Sequence, residues 1–223
     1  MVAGLPSVME PLRFRLNPNY DSSARSSVRG ELLGKGFVRR VVRVAPGTEE
    51  IDASDVLVGG FTGETPGWMP SARAEFLGFL DQLGSMGERW IWPMAGEAIA
   101  DAPSVLSFLR SRNNWRFVLC VADLLVPSLE SRMDDHVRRL LEALAGHPQL
   151  GLVLVSSYTR LGESGGPAPW GTNAQFDSLI ERWLVEHLRK DVQYCVLEGD
   201  AFAVAAVERI AAQVEAARTS SGG

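Results

Sequence analysis

The sequence predicts an α/β protein with a three-layer, doubly wound architecture, in which helices cover both faces of a mostly parallel sheet. Apolar runs of strand length alternate with segments of helical periodicity, which is the pattern of successive β–α units. The runs 117–122 and 152–155 are apolar throughout, as expected of strands buried on both faces. The 223 residues, 46% of them hydrophobic, suffice for one domain with a sizeable core. We therefore expect a single domain over 1–223, with disordered ends at 1–10 and 219–223.

The first half of the chain contains three predicted strands and one helix. Residues 14–16 close a short first strand, and the β-rich, charged run 37–44 is typical of an edge strand. Residues 55–58 form a short buried strand, and apolar side chains at helical spacing predict a helix over 70–83. The glycine-rich segment 30–36 is interpreted as the end of a helix and a turn.

The second half alternates strand and helix more regularly. The strand 116–122 is followed by a helix that Ser128 caps and Gly146 ends. The remaining predicted elements are a strand at 152–155, a helix bearing Phe176, Leu179, Ile180, Trp183 and Leu184, a strand at 192–197 and a helix at 201–217. Right-handed crossovers place such units on the two faces of one sheet, which predicts the doubly wound fold.

The composition argues against several function classes. A net charge of −5 and a pI near 5.3 give no general attraction to nucleic acid or to acidic membranes. No apolar run approaches the roughly 20 residues of a membrane span. Cys120 and Cys195 lie within apolar runs, which predicts buried free thiols in a reducing, cytoplasmic setting. The three histidines are too scattered for a zinc site.

Residues that follow the apolar runs are the first candidates for function, because parallel sheets bind ligands at the carboxyl ends of their strands. These residues are 17–27, 59–67, 93–97, Asp123, 156–159 and 198–200. The glycine-rich stretch 59–68 lies between a strand and a helix, but it contains Glu64 and no basic residue. We interpret it as a mobile surface loop that carries Trp68, with partner binding as its functional role.

The segment that follows the first predicted strand occupies the position of a phosphate-binding loop. Asn19 and Ala24 stand where such a loop has glycines, Arg25 stands for its lysine, and Ser26 keeps the hydroxyl. Only two lysines occur in the chain, and neither matches a nucleotide-binding position. The match has weight only through its position after a strand.

Two later stretches add to this pattern. Met94-Ala95-Gly96-Glu97 follows one predicted strand, and the next buried strand leads to Asp123. This arrangement resembles bacterial GTPases of the translation-factor-related (TRAFAC) class, particularly those of double-GTPase conflict systems. The resemblance implies a P-loop NTPase-like fold with Gly96 and Glu97 in a switch. It also implies that Asp123 is a substitute metal ligand and that Ser157 and Thr159 occupy the guanine-reading motif.

The sequence departs from that family at each part of the nucleotide site. Pro93 stands where the family has a magnesium-linked aspartate, and proline offers no side-chain ligand. Ala24 resists the backbone conformation that wraps phosphates. Thr159 offers one neutral hydroxyl in place of the carboxylate that reads guanine. The resemblance therefore implies a catalytically degenerate GTPase-like domain that holds no cofactor.

Three functional hypotheses follow. The leading one is a cytoplasmic bacterial protein-interaction or regulatory subunit that partners another protein, such as an intact GTPase, through loops that carry Trp68 and Trp170. The second is an active GTP or ATP hydrolase, in which Arg25 and Ser26 hold phosphate while Asp123 and Glu97 hold magnesium. The third is a doubly wound α/β enzyme unrelated to GTPases.

Overall fold

The computed structural model describes residues 10–20, 27–59, 70–161 and 164–219. Its strands are β1 (Leu12–Leu16), β2 (Ser27–Gly34), β3 (Phe37–Val44), β4 (Val56–Gly59), β5 (Arg89–Trp92), β6 (Trp115–Leu119), β7 (Leu150–Val155), β8 (Ser157–Leu161), β9 (Ser164–Ala168) and β10 (Gln193–Leu197). Its helices are α1 (Pro70–Gly84), α2 (Ala102–Leu109), α3 (Val121–Leu124), α4 (Met133–Leu144), α5 (Ala174–His187) and α6 (Ala201–Thr219). A 3₁₀ helix at Pro127–Arg132 precedes α4.

Eight of the described strands close into a barrel in the order β1-β10-β7-β6-β5-β4-β3-β2. The strands β3, β4, β5, β6, β7, β10 and β1 are neighbours in that order, and each pair of neighbours is parallel. β2 lies between β1 and β3 and is antiparallel to both. The barrel is thus seven parallel strands and one reversed strand. The remaining two strands, β8 and β9, form a separate antiparallel hairpin after β7.

The predicted three-layer, doubly wound P-loop fold is wrong. β1 pairs with β10 on one side and with β2 on the other, so the sheet closes and has no free edge among the described strands. Alternating β–α units are common to open doubly wound sheets and to closed barrels, and the alternation alone does not distinguish them.

The resemblance to TRAFAC GTPases is wrong as well. A phosphate-binding loop links a strand to the amino terminus of a helix. Here the segment after β1 leads to another strand, β2, which returns antiparallel along β1. The domain is therefore neither a P-loop GTPase nor a catalytically degenerate, pseudoenzyme relative of one.

The β2–β3 hairpin replaces the predicted helix end at 30–36. Gly34 pairs with Phe37 across a tight turn in which Gly36 has a φ of 85°, a left-handed conformation that glycine adopts without strain. The prediction that β3 is an edge strand is also wrong, since β3 lies between β2 and β4. Its arginines find partners within the fold: Arg40 binds Asp55 and Arg43 binds Glu97.

The other predicted strands and helices have counterparts in the structure, but β5 was predicted without bounds, α2, α3 and the β8–β9 hairpin were not predicted, and the predicted strand 116–122 ends at Leu119 because α3 begins at Val121. The helix predicted from Ser128 is α4, which begins at Met133 because the 3₁₀ helix takes up the stretch that contains Ser128. Of the ends predicted to be disordered, Glu10 and Thr219 are described and the rest lie outside the described residues. None of the described helices is both long and apolar enough to cross a membrane.

Aromatic side chains fill the interior of the barrel. β1 and β5 are opposite one another in the ring of eight strands, yet the ring centroids of Phe14 and Trp92 are 4.8 Å apart. The two side chains therefore meet across the lumen. Trp90 lies two residues before Trp92 on β5, so its side chain also faces the lumen. It lies against Gly151 of β7, near the amino ends of the strands. The barrel is a packed core and not a pore.

Gly30 provides the space for this packing, which leads to the first prediction. A Cβ atom at residue 30 would lie 2.6 Å from Cε2 of Phe14 and would also collide with the carbonyl oxygen of Arg15. We expect Gly30→Ala to lower the free energy of unfolding by about 1–3 kcal/mol, measured by urea denaturation.

Gly78 supplies the matched control. It lies inside α1, and a Cβ atom added there would meet only open space. Gly78→Ala should raise the free energy of unfolding by about 1 kcal/mol through helix propensity. Equal effects of the two substitutions would contradict the close packing of Phe14 on β2.

Candidate functional site

The carboxyl ends of the seven parallel strands meet at one mouth of the barrel. Characterised barrels of β–α units place their active sites at this end, on the loops that follow the strands. The segments 17–27, 93–97, 156–159 and 198–200, predicted as candidates from an open sheet, also follow strands that end at this mouth. The predicted position of a site carries over to the barrel because both folds have parallel strands.

A buried ion pair lies inside this mouth. Nη2 of Arg29 is 2.5 Å from Oδ1 of Asp123, and the two side chains are only 6% and 1% exposed. Oδ2 of Asp123 accepts a hydrogen bond from Nε1 of Trp92 at 2.8 Å. Both carboxylate oxygens of Asp123 are therefore satisfied by protein donors.

A β-bulge directs Arg29 into the mouth. In the pairing of β2 with β3, Val28 is opposite Val42 and Gly30 is opposite Val41, so Arg29 is an extra residue without a partner across the ladder. Bulges re-aim side chains in this way and are frequent beside functional sites. The guanidinium carbon of Arg29 lies 5.0 Å from the ring centre of Trp92, within cation–π range.

Two polar groups in the mouth are buried and have no hydrogen-bond partner in the part of the chain that the structure describes. They are Nη1 of Arg29 and the hydroxyl of Tyr20. Burial raises the pKa of Tyr20, so its phenol is neutral at physiological pH and can donate a proton in a hydrogen bond. Burial lowers the pKa of Arg29, but the charge of Asp123 and its hydrogen bond more than offset this, and Arg29 is a cation.

Buried donors without an acceptor are rare in proteins and costly. A guanidinium N–H and a phenol O–H both match the oxygen atoms of an anion. Tyr20 interacts electrostatically with Arg29 first, and then with Glu97, Arg43 and Asp123, which places all five groups in one cluster. This arrangement can bind a carboxylate or a phosphate.

A second ion pair lies in the same cluster. Arg43 of β3 binds Glu97, which follows β5, at 3.2 Å, and the two side chains are 5% and 10% exposed. Gly96 turns the chain just before Glu97 with a φ of 85°. The N–H of Ala95 donates to the backbone carbonyl of Asp123 at 2.8 Å, which connects this turn to the first ion pair.

Cys120 lies beside the cluster but is not a nucleophile in this state. Burial, and then the nearby charge of Asp123, raise the pKa of its thiol well above the usual range. The thiolate is the reactive form of cysteine, and it is disfavoured here. Cys120 and Cys195 are both buried free thiols, as their apolar sequence context predicted.

An open cleft of about 550 Å³ lies on the β1–β10 side of the mouth. Its apolar lining comes from β1, β10, the end of β9 and the start of α6, and consists of Phe14, Leu16, Pro167, Pro169, Leu197 and Phe202. Phe14 belongs to both parts of the mouth, since the guanidinium of Arg29 also lies 6.0 Å from the centre of its ring. The volume is within the range of small-molecule sites.

The residues of the predicted nucleotide and partner sites fall into three groups. Asn19 is exposed, and its N–H donates to the side chain of Asn17 in a turn after β1. Ala24, Arg25, Ser26 and Trp68 lie outside the described residues. Gly96, Glu97 and Asp123 lie in the mouth, with Glu97 and Asp123 engaged by arginines.

Ser157 and Thr159 lie in β8, where structural contacts account for Ser157. Its hydroxyl is fully buried and accepts the N–H of Asn173, the residue that caps α5. Thr159 is half-buried and pairs with Gly166 of β9. Trp170 packs against the core, and its backbone N–H donates a hydrogen bond to the carboxylate of Asp200 at 2.7 Å. Its role in binding a partner stays a prediction.

The sequence pattern indicated Asp123 and Glu97 but not Arg29, Arg43 or Tyr20. Tyr20 lies within the candidate segment 17–27, but the phosphate-loop pattern there marks Asn19 and residues 24–26 instead. Arg29 directly precedes the segment 30–36, which was interpreted as a helix end and turn, and only the bulge reveals its direction. In the part of the chain that the structure describes, no three His, Cys, Asp or Glu side chains form a group that would hold a metal ion.

Fold and site together define an α/β barrel with a charged and apolar mouth. No protein-family model matches the chain, and no curated protein sequence matches it. Among solved structures, it is similar to a xylose isomerase-like TIM barrel protein from Mycobacterium smegmatis in complex with magnesium, with 11% identity and a TM-score of 0.41 over 71% of this chain and 62% of that one. A second is mannonate dehydratase from Streptococcus suis serotype 2, with 12% identity and a TM-score of 0.38 over 68% of this chain and 49% of that one. The chain spans between about half and six-tenths of the length of these proteins.

The Arg29–Asp123 pair leads to a prediction about stability. Arg29→Met leaves a buried carboxylate without its counter-charge, and we expect a loss of about 3–5 kcal/mol in the free energy of unfolding. Adding Asp123→Asn removes that charge and keeps an acceptor for Trp92, so the double variant should recover about 1–3 kcal/mol. Chemical denaturation of the three proteins measures the coupling.

The control is Arg209→Met, which removes the exposed ion pair of Arg209 with Glu181. That substitution should change stability by less than about 1 kcal/mol. If Arg29→Met were as mild as Arg209→Met, the pair would not be a structural centre of the barrel.

Tyr158 provides a pH-dependent prediction at the start of the β8–β9 hairpin. Burial, and then its 2.8 Å hydrogen bond to Glu130, raise the pKa of Tyr158 from 10.0 to about 12. The folded protein therefore retains a proton that the unfolded chain loses, and this contribution to stability is complete below pH 10 and is lost as the pH rises through about 12. Tyr158→Phe should be less stable than the parent at neutral pH by about 1 kcal/mol. The difference should shrink above pH 10, and a constant difference across the alkaline range would contradict the assignment.

Proposed function

We propose that this chain is a small-molecule-binding α/β barrel whose ligand carries an anionic group, bound in the barrel mouth by Arg29 and Tyr20. The observation that carries the proposal is the pair of buried donors without an acceptor, Nη1 of Arg29 and the hydroxyl of Tyr20. Of the hypotheses left open by the sequence, it is nearest to the third, an α/β enzyme unrelated to GTPases, although the barrel replaces the doubly wound sheet of that hypothesis.

The charges of the cluster support an anion over a cation. The carboxylates of Asp123 and Glu97 are each held by an arginine, and Asp123 also accepts from Trp92. The groups that lack a partner are both donors, and a cation would face the guanidinium of Arg29. A carboxylate or phosphate oxygen would supply the missing acceptor and would form charge-assisted bonds in a largely desolvated site.

The surroundings of the donors also fit recognition of a ligand. Phe14 and Trp92 contact the guanidinium of Arg29, and Asp123 fixes its other terminal nitrogen. The direction of Nη1 is therefore set before a ligand arrives, which lowers the entropy cost of binding. A guanidinium held in this way, with one terminal nitrogen left for a ligand, favours a specific site.

The proposal predicts the behaviour of Tyr20→Phe. The hydroxyl of Tyr20 has no protein partner, so its removal should leave the melting temperature of the free protein unchanged or raise it. Binding of an anion should weaken by about fivefold to tenfold, because one hydrogen bond to the ligand is lost. Acetate and inorganic phosphate are the probes, titrated at matched ionic strength while tryptophan fluorescence is recorded.

Two controls accompany that titration. Acetamide, which is nearly isosteric with acetate and uncharged, should produce no saturable change. Tyr158→Phe removes another buried tyrosine hydroxyl, one that binds Glu130, and should keep the affinity of the parent protein. Absence of saturable binding of both anions to the parent protein, or equal binding by Tyr20→Phe, would refute the proposed site.

A further inference from the structure

We propose that the bound anion is the head group of an amphipathic molecule whose hydrocarbon tail lies in the mouth cleft between Leu16 and Phe202. This inference rests on the proposed function, and it names the class of ligand: a carboxylate or phosphate ester with an apolar chain. It concerns the cleft of about 550 Å³, whereas the proposed anion site concerns the donors beside it.

The charged side chains that line the cleft already have partners within the protein. Arg15 donates two hydrogen bonds to Glu198, at 2.6 and 2.8 Å, and so the two charges form a bidentate pair. Oδ1 of Asp200 accepts the N–H of Ala203 at 2.9 Å, and its Oδ2 accepts the N–H of Trp170 at 2.7 Å. A ligand in the cleft therefore has little polar bonding to gain from these side chains, and what the cleft offers is apolar surface.

Two large apolar side chains are exposed at this place. Leu16, at the end of β1, is 44% exposed, and Phe202, in the first turn of α6, is 75% exposed. Between them the cleft is lined by Leu197 and by two prolines. Neighbouring exposed apolar side chains around a concave surface mark a binding site more often than single ones do.

Phe14 joins the cleft to the anion site. Its ring packs on Trp92 and under the guanidinium of Arg29, and the same residue lines the cleft. Arg29 and Tyr20 do not themselves line the cleft, so a molecule with its anion at these donors would pass the ring of Phe14 to reach the apolar surface at Leu16. Charge at one end and hydrocarbon at the other match a single amphipathic occupant better than a polar ligand or a second protein chain.

The experiment is a chain-length series of carboxylates, from acetate through butyrate and hexanoate to octanoate, titrated with tryptophan fluorescence as the signal. We expect the dissociation constant to fall by about fourfold for each methylene that enters the cleft. Phe202→Ala should weaken octanoate binding by about tenfold and leave acetate binding unchanged. Met86→Ser is the matched control, because Met86 is 65% exposed and lies in the turn before β5, at the opposite end of the barrel.

The outcomes separate this inference from the proposed function. If acetate binds and longer chains bind no more tightly, the tail site is refuted while the anion site stands. If none of the carboxylates binds, the proposed function itself fails. Octanol binding as tightly as octanoate would refute the link between tail and head group. Sedimentation tests whether a second copy of the chain occupies the cleft instead. A dimer that is dissociated by Phe202→Ala but not by octanoate would show this and would also overturn the inference.

Discussion

The ion pair between Arg29 and Asp123 is the interaction on which the carboxyl end of the barrel depends. It joins the reversed strand β2 to the segment after β6, two parts of the wall that are not neighbours in the sheet. Burying either charge alone would cost several kcal/mol of desolvation free energy, so the pair is stable only when β2 and the segment after β6 are both in position. Asp123 also fixes Trp92 through its side chain and Ala95 through its backbone carbonyl. Displacing either charge would disturb three segments of the mouth together.

The mouth divides its polar and apolar surface between two sides. Charged groups gather around β2, β3 and the turn after β5, while the β1–β10 side is apolar and its few charges are paired internally. The rings of Phe14 and Trp92 form the boundary and close the lumen below. Under the proposed function, a site of this shape would select ligands by polarity along their length as well as by size. The same boundary keeps water from the Arg29–Asp123 pair, which strengthens the electrostatics on the charged side.

The sequence predicted most elements and the end of the fold that bears the site, because hydrophobic periodicity and strand direction are local properties. Closure of the sheet could not be predicted this way, since it depends on the pairing of β1 with β10; Arg15 and Glu198, which meet there, are 183 residues apart. β2 was not predicted because Gly30, Gly34 and Gly36 are typical of a helix end and a turn. In the structure Gly30 lies inside a strand, where the ring of Phe14 leaves no room for a side chain. Asp123 was found from its position after a strand. Arg29 was not, because a bulge sets its direction and no local pattern marked that bulge.

The reversal of β2 also has a consequence for how the chain reaches this structure. β1, β2 and β3 follow one another along the chain and pair antiparallel, so they can form a sheet from local contacts alone. The other side of β1 must wait for β10, one of the last elements of the chain. Until then β1 presents an unpaired edge, which is the feature through which β proteins associate wrongly during folding. The reversed strand thus allows β1, β2 and β3 to form a sheet early, and completion of the barrel follows only when β10 pairs with β1.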